Sequence, residues 1–171
     1  MIIRARTTDL EELQNICRKA YTQHFGDHWE EGGLEMYLKD QFGEDRLSND
    51  LDNEMIHFYF VKDGDSCIGF CKINIDMPFE KEPNSPSCEL EKIYLLNEWT
   101  GKNYGKRALN FLLDIARSYD RKLIFLCVVD SNAPAIAFYL SQGFEVYKKT
   151  MLKIPLFKDD LRGMYVMYKH L

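Results

Sequence analysis

The sequence lacks several features, and each absence removes a class of function. It has no run of about 18 apolar residues, which excludes a membrane-spanning helix. Its start, MIIRARTTDLEEL, soon turns acidic and has no apolar signal core, so the expected location is the cytoplasm. None of the five cysteines (17, 67, 71, 88, 127) forms a C-x-x-C pair. Zinc and dithiol redox motifs are thus excluded, and buried reduced thiols are expected. Basic residues are outnumbered, 22 against 27, for a net charge of −5. That balance argues against general nucleic-acid binding and favours a cationic small partner. No repeat, low-complexity tract or linker divides the 171 residues, so one domain over 1–171 is expected, long enough for a sizeable core.

What is present reads as alternating strands and helices. Residues 2–6, IIRAR, alternate like a first strand. Thr8 and Asp9 offer caps for a helix whose apolar positions are Leu10, Leu13, Ile16, Cys17 and Ala20. An acidic stretch over 31–53, with Tyr37 and Phe42, reads as one or two further helices. From 56, IHFYFVKDGDSCIGFCKINI is a hairpin turning at Asp63-Gly64-Asp65. A loop with three prolines over 77–87 precedes a strand at 88–95. A helix over about 104–119 carries the stripe Leu109, Leu112, Leu113 and Ala116. KLIFLCVVD is a buried strand, and NAPAIAFYLSQ a short helix with Pro134 in its first turn and Gly143 as its stop. Two strands, 144–151 and 163–170, complete the chain, joined by a segment with Pro155. The order predicts a mixed α/β domain with a parallel pair in its second half.

Between the strand at 88–95 and its helix lies NEWTGKNYGKRAL. A helix start preceded by small residues presents free N–H groups and a positive dipole end, which suits phosphate. A Walker loop is excluded, because the glycines are one residue too close and Arg107 stands at the magnesium-binding hydroxyl position. The dinucleotide pattern G-x-G-x-x-G is absent. By itself the loop leaves two readings open: a phosphate cradle, or a plain turn with solvated lysines.

A second segment bears on that choice. FLCVVDSNAPAIAFYLSQGFEVY, over 125–147, resembles a characteristic segment of the GNAT superfamily of N-acetyltransferases. The loop then resembles their acyl-CoA pyrophosphate loop, with Thr100, Asn103 and Gly105 at its key positions. YTQHF, KINID and ELEKIYLL extend the likeness over nearly the whole chain, nearest to bacterial spermidine/spermine N-acetyltransferases of the PaiA type. The resemblance implies a central mixed, mostly antiparallel sheet of about seven strands flanked by helices. It also implies acetyl-CoA as co-substrate, no metal, and a small-molecule amine as partner, with neither nucleic acid nor membrane. Dimers are common in that superfamily, though no stripe here marks an interface. Two departures stand out: Thr100 replaces a glutamine or arginine, and Asn103 a glycine. Asparagine tolerates left-handed backbone, so Asn103 is expected in that region.

The resemblance assigns CoA contact to the main chain of Ile93, Tyr94 and Leu95, and to Thr100, Gly101, Lys102, Asn103, Tyr104, Gly105 and Lys106. Asn132 is expected to bond the pantetheine arm, to cap its helix, or both. Tyr139 matches the family's general acid; the alternative is ordinary aromatic packing. Glu89 and Glu91, two apart on a strand, share a face. Glu91 is the expected base, against the alternative of a lysine salt bridge. Tyr21, Phe25, Asp27, Trp29, Glu30 and Glu31 read either as a site for a polycation or as a solvated acidic turn beside core aromatics. His24 and His28, four apart, do not read as a metal pair, because Gly26 interrupts the helix and no third ligand is evident. The expected reaction is direct acetyl transfer to a primary amine, first of all a polyamine. The alternatives are a protein, amino-acid or antibiotic amine, or a non-catalytic acyl-CoA-binding regulator.

Overall fold

A computed structural model describes all 171 residues. The strands are β1 (Ile2–Arg4), β2 (Ile56–Asp63), β3 (Ser66–Asn74), β4 (Ser87–Leu95), β5 (Leu123–Val129), β6 (Glu145–Met151) and β7 (Gly163–His170). The helices are α1 (Leu10–Phe25), α2 (Gly33–Phe42), α3 (Glu44–Asp52), α4 (Tyr104–Ser118) and α5 (Ala133–Ser141). One sheet runs β1-β2-β3-β4-β5-β7-β6. Every pairing is antiparallel except β4 with β5, whose crossover through α4 makes them parallel. No helix is long and apolar enough to cross a membrane.

Strand alternation divides the core between two faces. On β2, Tyr59 and Val61 join the cluster under α4, while Phe58 and Phe60 join the cluster under α1–α3. The stripe Leu109, Leu112, Leu113 and Ala116 is buried against the first, and Leu13, Ile16, Cys17 and Ala20 of α1 against the second. One capping expectation is corrected. Asp9 does not cap α1 with its side chain; its Oδ2 accepts instead from the Arg6 N–H at 2.9 Å, closing the turn before the helix. The proline-containing loop after β3 is anchored, with Phe79 buried against Phe125 and Tyr168.

Two irregularities shape the middle of the sheet. Between β3 and β4 the register shifts, so that Lys72 faces Lys92 and Ile73 faces Leu90. Glu91 is the extra residue of a β-bulge. Beside it, β4 and β5 pair only at Ser87–Leu123, Cys88–Ile124 and Glu89–Phe125. Both strands continue, β4 to Leu95 on β3 and β5 to Val129 on β7, but they no longer bond to each other. The sheet therefore opens into a wedge from Leu90 onward.

Candidate active site

The wedge is the floor of a cleft of about 810 Å³, within the usual range for small-molecule sites. Its walls are Leu90–Leu95 of β4, Leu126–Val129 of β5, the loop before α4, one side of α5, and His24 with Phe25 from α1.

The loop is built for an anion. Gly101 (φ 71°) and Asn103 (φ 65°, ψ 1°) both lie in the left-handed region, so the asparagine does what glycine would. These turns carry the chain into α4 with the backbone N–H groups of Gly101 through Lys106 donating to no backbone carbonyl. Donors of this kind at a helix start, with the helix dipole behind them, form a phosphate site. A Cβ on Gly105 would meet nothing nearer than Leu95 Cδ1 at 4.0 Å, so space above this turn is open. Thr100 turns its hydroxyl onto the Asn97 carbonyl at 2.8 Å and serves the loop's own shape.

Of the twelve residues expected at a CoA site, ten line the cleft: Ile93, Tyr94, Leu95, Thr100, Gly101, Asn103, Gly105, Lys106, Asn132 and Tyr139. Lys102 and Tyr104 do not line it. Lys102 Nζ lies 4.8 Å from the Trp99 ring centroid, and Tyr104 packs edge-on to the same ring. Asn132 accepts from the Ala135 N–H at 3.2 Å, capping α5, while lining the cleft. Tyr139 packs against Phe138 and Phe144. Burial, reinforced by Cys71, pushes its phenol above the ordinary value, so it keeps its proton at neutral pH.

The carboxylates behave differently from the sequence expectation. Glu89 and Glu91 do share a face: both accept from Asn74 Nδ2, at 2.9 and 3.0 Å. Glu91, however, is also gripped by two ammonium groups, Lys72 Nζ at 2.7 Å and Lys92 Nζ. Lys72 extends the chain to Asp50 at 2.8 Å, and Asp50 to Arg46 at 3.1 Å. Burial alone would raise the Glu91 carboxyl, but Lys92 and Lys72 outweigh it and hold it at about 2. A carboxylate that acidic is a poor proton acceptor at neutral pH. The lysine salt bridge of the alternative reading is what forms, and it counts against Glu91 as the base. Glu89 has no lysine partner, and burial pushes its carboxyl up against the pull of Asn74.

Of the two readings left open for the aromatic cluster, the packing favours the core. Tyr21 and Trp29 are buried, stacked or tilted against Tyr37, with Phe157 at the edge of Trp29. They are core, as in the alternative reading, and only Phe25 of that set reaches the cleft. Glu30 and Glu31 are exposed on the following turn. The segment before β7 crosses over this region: Glu30 N–H donates to Leu156 and Lys158 N–H to His28, at 2.8 and 2.9 Å.

Sequence reasoning missed four cleft residues of chemical interest: His24, Lys92, Cys127 and Gln142. Lys92 had a usable signal, since it sits between the recognised positions Glu91 and Ile93 on β4. Cys127 is exposed on the cleft wall, and partial desolvation of its thiol, reinforced by Glu89, pushes it up to about 11.

Residues 10–144 match the model of the acetyltransferase (GNAT) family. An uncharacterized N-acetyltransferase from the pepI 3' region of Lactobacillus delbrueckii subsp. lactis is 24% identical over 170 residues, covering 99% of this chain and 96% of its own. The PaiA N-acetyltransferase of Thermoplasma acidophilum, solved in complex with coenzyme A, superposes with a TM-score of 0.79 at 22% identity, covering 100% of this chain and 98% of that one. A variant of the spermidine N-acetyltransferase SpeG from Vibrio cholerae gives 0.71 at 16% identity, covering 99% and 92%. These superpositions show a common fold. The family match spans most of the chain, and it agrees with a parallel strand pair that parts over a helix start: the protein belongs to the GNAT family and is an N-acetyltransferase.

Proposed function

We propose that the protein transfers an acetyl group from acetyl-CoA to a primary amine, with a polyamine such as spermidine as the preferred acceptor. The observation that carries the donor assignment is the wedge itself. It offers a β4 edge along Ile93–Leu95 that has no partner in β5, leading to free N–H groups at Gly101–Lys106. An extended amide-bearing arm ending in a pyrophosphate matches that sequence of donors and acceptors. Lys106, also on the cleft, adds a positive charge at the phosphate end.

The chain's own groups support direct attack rather than an acetyl-enzyme. The one cysteine on the cleft, Cys127, holds its proton too firmly to serve as a nucleophile. The amine nitrogen forms its bond to the acetyl carbon, and a β4 N–H supports the developing oxyanion. As the carbon–sulfur bond breaks, Tyr139 donates its phenolic proton to the departing thiolate. The proton shed by the newly bonded nitrogen restores the phenol, so Tyr139 ends unchanged.

The polyamine preference rests on less: the net charge of −5, the exposed Glu30 and Glu31, and the likeness to a spermidine N-acetyltransferase. A thiol-release assay with acetyl-CoA tests it against a panel of spermidine, spermine, a peptide α-amine, an amino acid and an aminoglycoside. Turnover led by spermidine or spermine is expected. Turnover led by the peptide moves the acceptor to a protein amine. Tight CoA binding without turnover on any amine overturns the catalytic reading.

A further inference from the structure

With Glu91 clamped by two lysines, the acceptor side of the cleft needs another group to take the proton that an ammonium must lose before it can attack. We infer that His24 is that group, and that its Nδ1 accepts the proton from the incoming amine. The inference deepens the proposed amine acetylation and rests on it.

The tautomer of His24 is fixed by its backbone partner. His24 Nε2 lies 2.7 Å from the Leu95 carbonyl oxygen. A carbonyl oxygen can only accept, so Nε2 carries the hydrogen, and in the neutral ring Nδ1 is left as a bare lone pair. No protein group donates to that Nδ1. A backbone acceptor thus fixes the ring in the form a general base requires. The fixing depends on the wedge, because Leu95 belongs to the part of β4 that has no partner in β5.

His24 lines the cleft, its ring centroid 5.9 Å from that of Tyr94 and 6.3 Å from that of Phe25. Tyr94, Tyr139 and Glu91 line the same cleft as His24. The helix that supplies His24 lies on the face opposite α4, away from the phosphate-binding turn.

The other titratable groups around His24 are eliminated in turn. From β4, Glu91 is already held as an anion at about 2 by its lysine partners, and the half-buried Tyr94 phenol is pushed well above its ordinary value. From β5, Cys127 titrates at about 11. From α5, Tyr139 keeps its proton and serves as the acid, and from α4, Lys106 carries positive charge. His28, just beyond α1, packs against Phe25 and Phe157 rather than on the cleft. Glu89, which pairs with Phe125 where the two strands still join, does not line the cleft, so the bare lone pair of His24 Nδ1 is the base left within it.

The step balances. The ammonium gives one proton to Nδ1, which passes it to solvent, and the neutral amine then forms the nitrogen–carbon bond. The second proton leaves that nitrogen as the carbon–sulfur bond breaks, and one proton reaches the thiolate through Tyr139. The products are the amide, the free thiol and one released proton.

The test compares the wild-type protein with His24→Gln, which keeps an N–H donor for Leu95 but cannot accept a proton. CoA affinity by calorimetry should be unchanged. With spermidine, kcat should fall by about 10²-fold at neutral pH. The loss of kcat/KM on acidification below neutral, present in wild type, should vanish in the variant. His24→Ala should regain turnover on addition of imidazole. A His24→Gln enzyme with wild-type rate and acid limb overturns the assignment. So does a slow variant that keeps that limb, or a His24→Ala enzyme that binds CoA but is not rescued. A wild-type protein that binds CoA and acetylates no amine overturns the proposed function first, and this base with it.

Discussion

Glu91→Gln is the most informative single change, because it separates a structural carboxylate from a catalytic one. In the folded protein the carboxyl is held at about 2 against an ordinary 4.5. At about 1.36 kcal/mol for each tenfold step, that difference represents roughly 3 kcal/mol of folded-state stabilisation. The side chain is only 20% exposed, so solvent screening removes little of it. The sign follows from a depressed folded value. The stabilisation is fully present above 4.5 and is lost as pH falls toward 2. Removing the charge at pH 7 also leaves Lys92 without its carboxylate and Lys72 with Asp50 alone. Breaking a buried pair from one side commonly costs about 3–5 kcal/mol, which agrees. With a urea slope of roughly 2–3 kcal/mol per molar, the unfolding midpoint should drop by about 1–1.5 M. The same comparison repeated down to pH 2.5 should show the gap closing. A variant as stable as wild type at pH 7, or a gap independent of pH, refutes the clamp.

Tyr139→Phe should lower kcat by about 10²-fold while leaving CoA affinity intact; equal losses of kcat and affinity would indicate a packing role instead. Asn103→Val forces a β-branched residue into a left-handed turn at a cost of about 1–2 kcal/mol and should weaken CoA binding measured by calorimetry, whereas Asn103→Gly should not. Cys127 should react slowly with iodoacetamide at pH 8 and progressively faster toward pH 11, followed by mass spectrometry; rapid reaction at pH 7 would contradict its raised thiol.

The elements were legible where local rules govern them. The α4 stripe, the hairpin at Asp63-Gly64-Asp65, the stop at Gly143 and the left-handed Asn103 all appear where spacing and turn chemistry put them. The alternation that pairs Glu89 with Glu91 is also real, as their shared bond to Asn74 shows. What alternation could not supply was Lys72, which reaches Glu91 only through the register of a different strand pair and the bulge beside it. Tyr21 and Trp29 failed for a related reason. An aromatic reads the same in sequence whether it lines a site or fills a core, and Phe157, which closes over Trp29, arrives from far along the chain. His24 was visible only as a ligand candidate, because its value lies in a carbonyl freed by strand separation, which no local pattern encodes.

The parting of β4 from β5 has a mechanical side. Only three residue pairs stitch the β1–β4 half of the sheet to the β5–β7 half. A molecule lying in the gap and bonding to both lips would act as a splint between two plates, so rigidity at the reacting end is highest when donor is loaded. By the same reasoning the two plates are freest to move only once the gap is empty, after the spent thiol has gone.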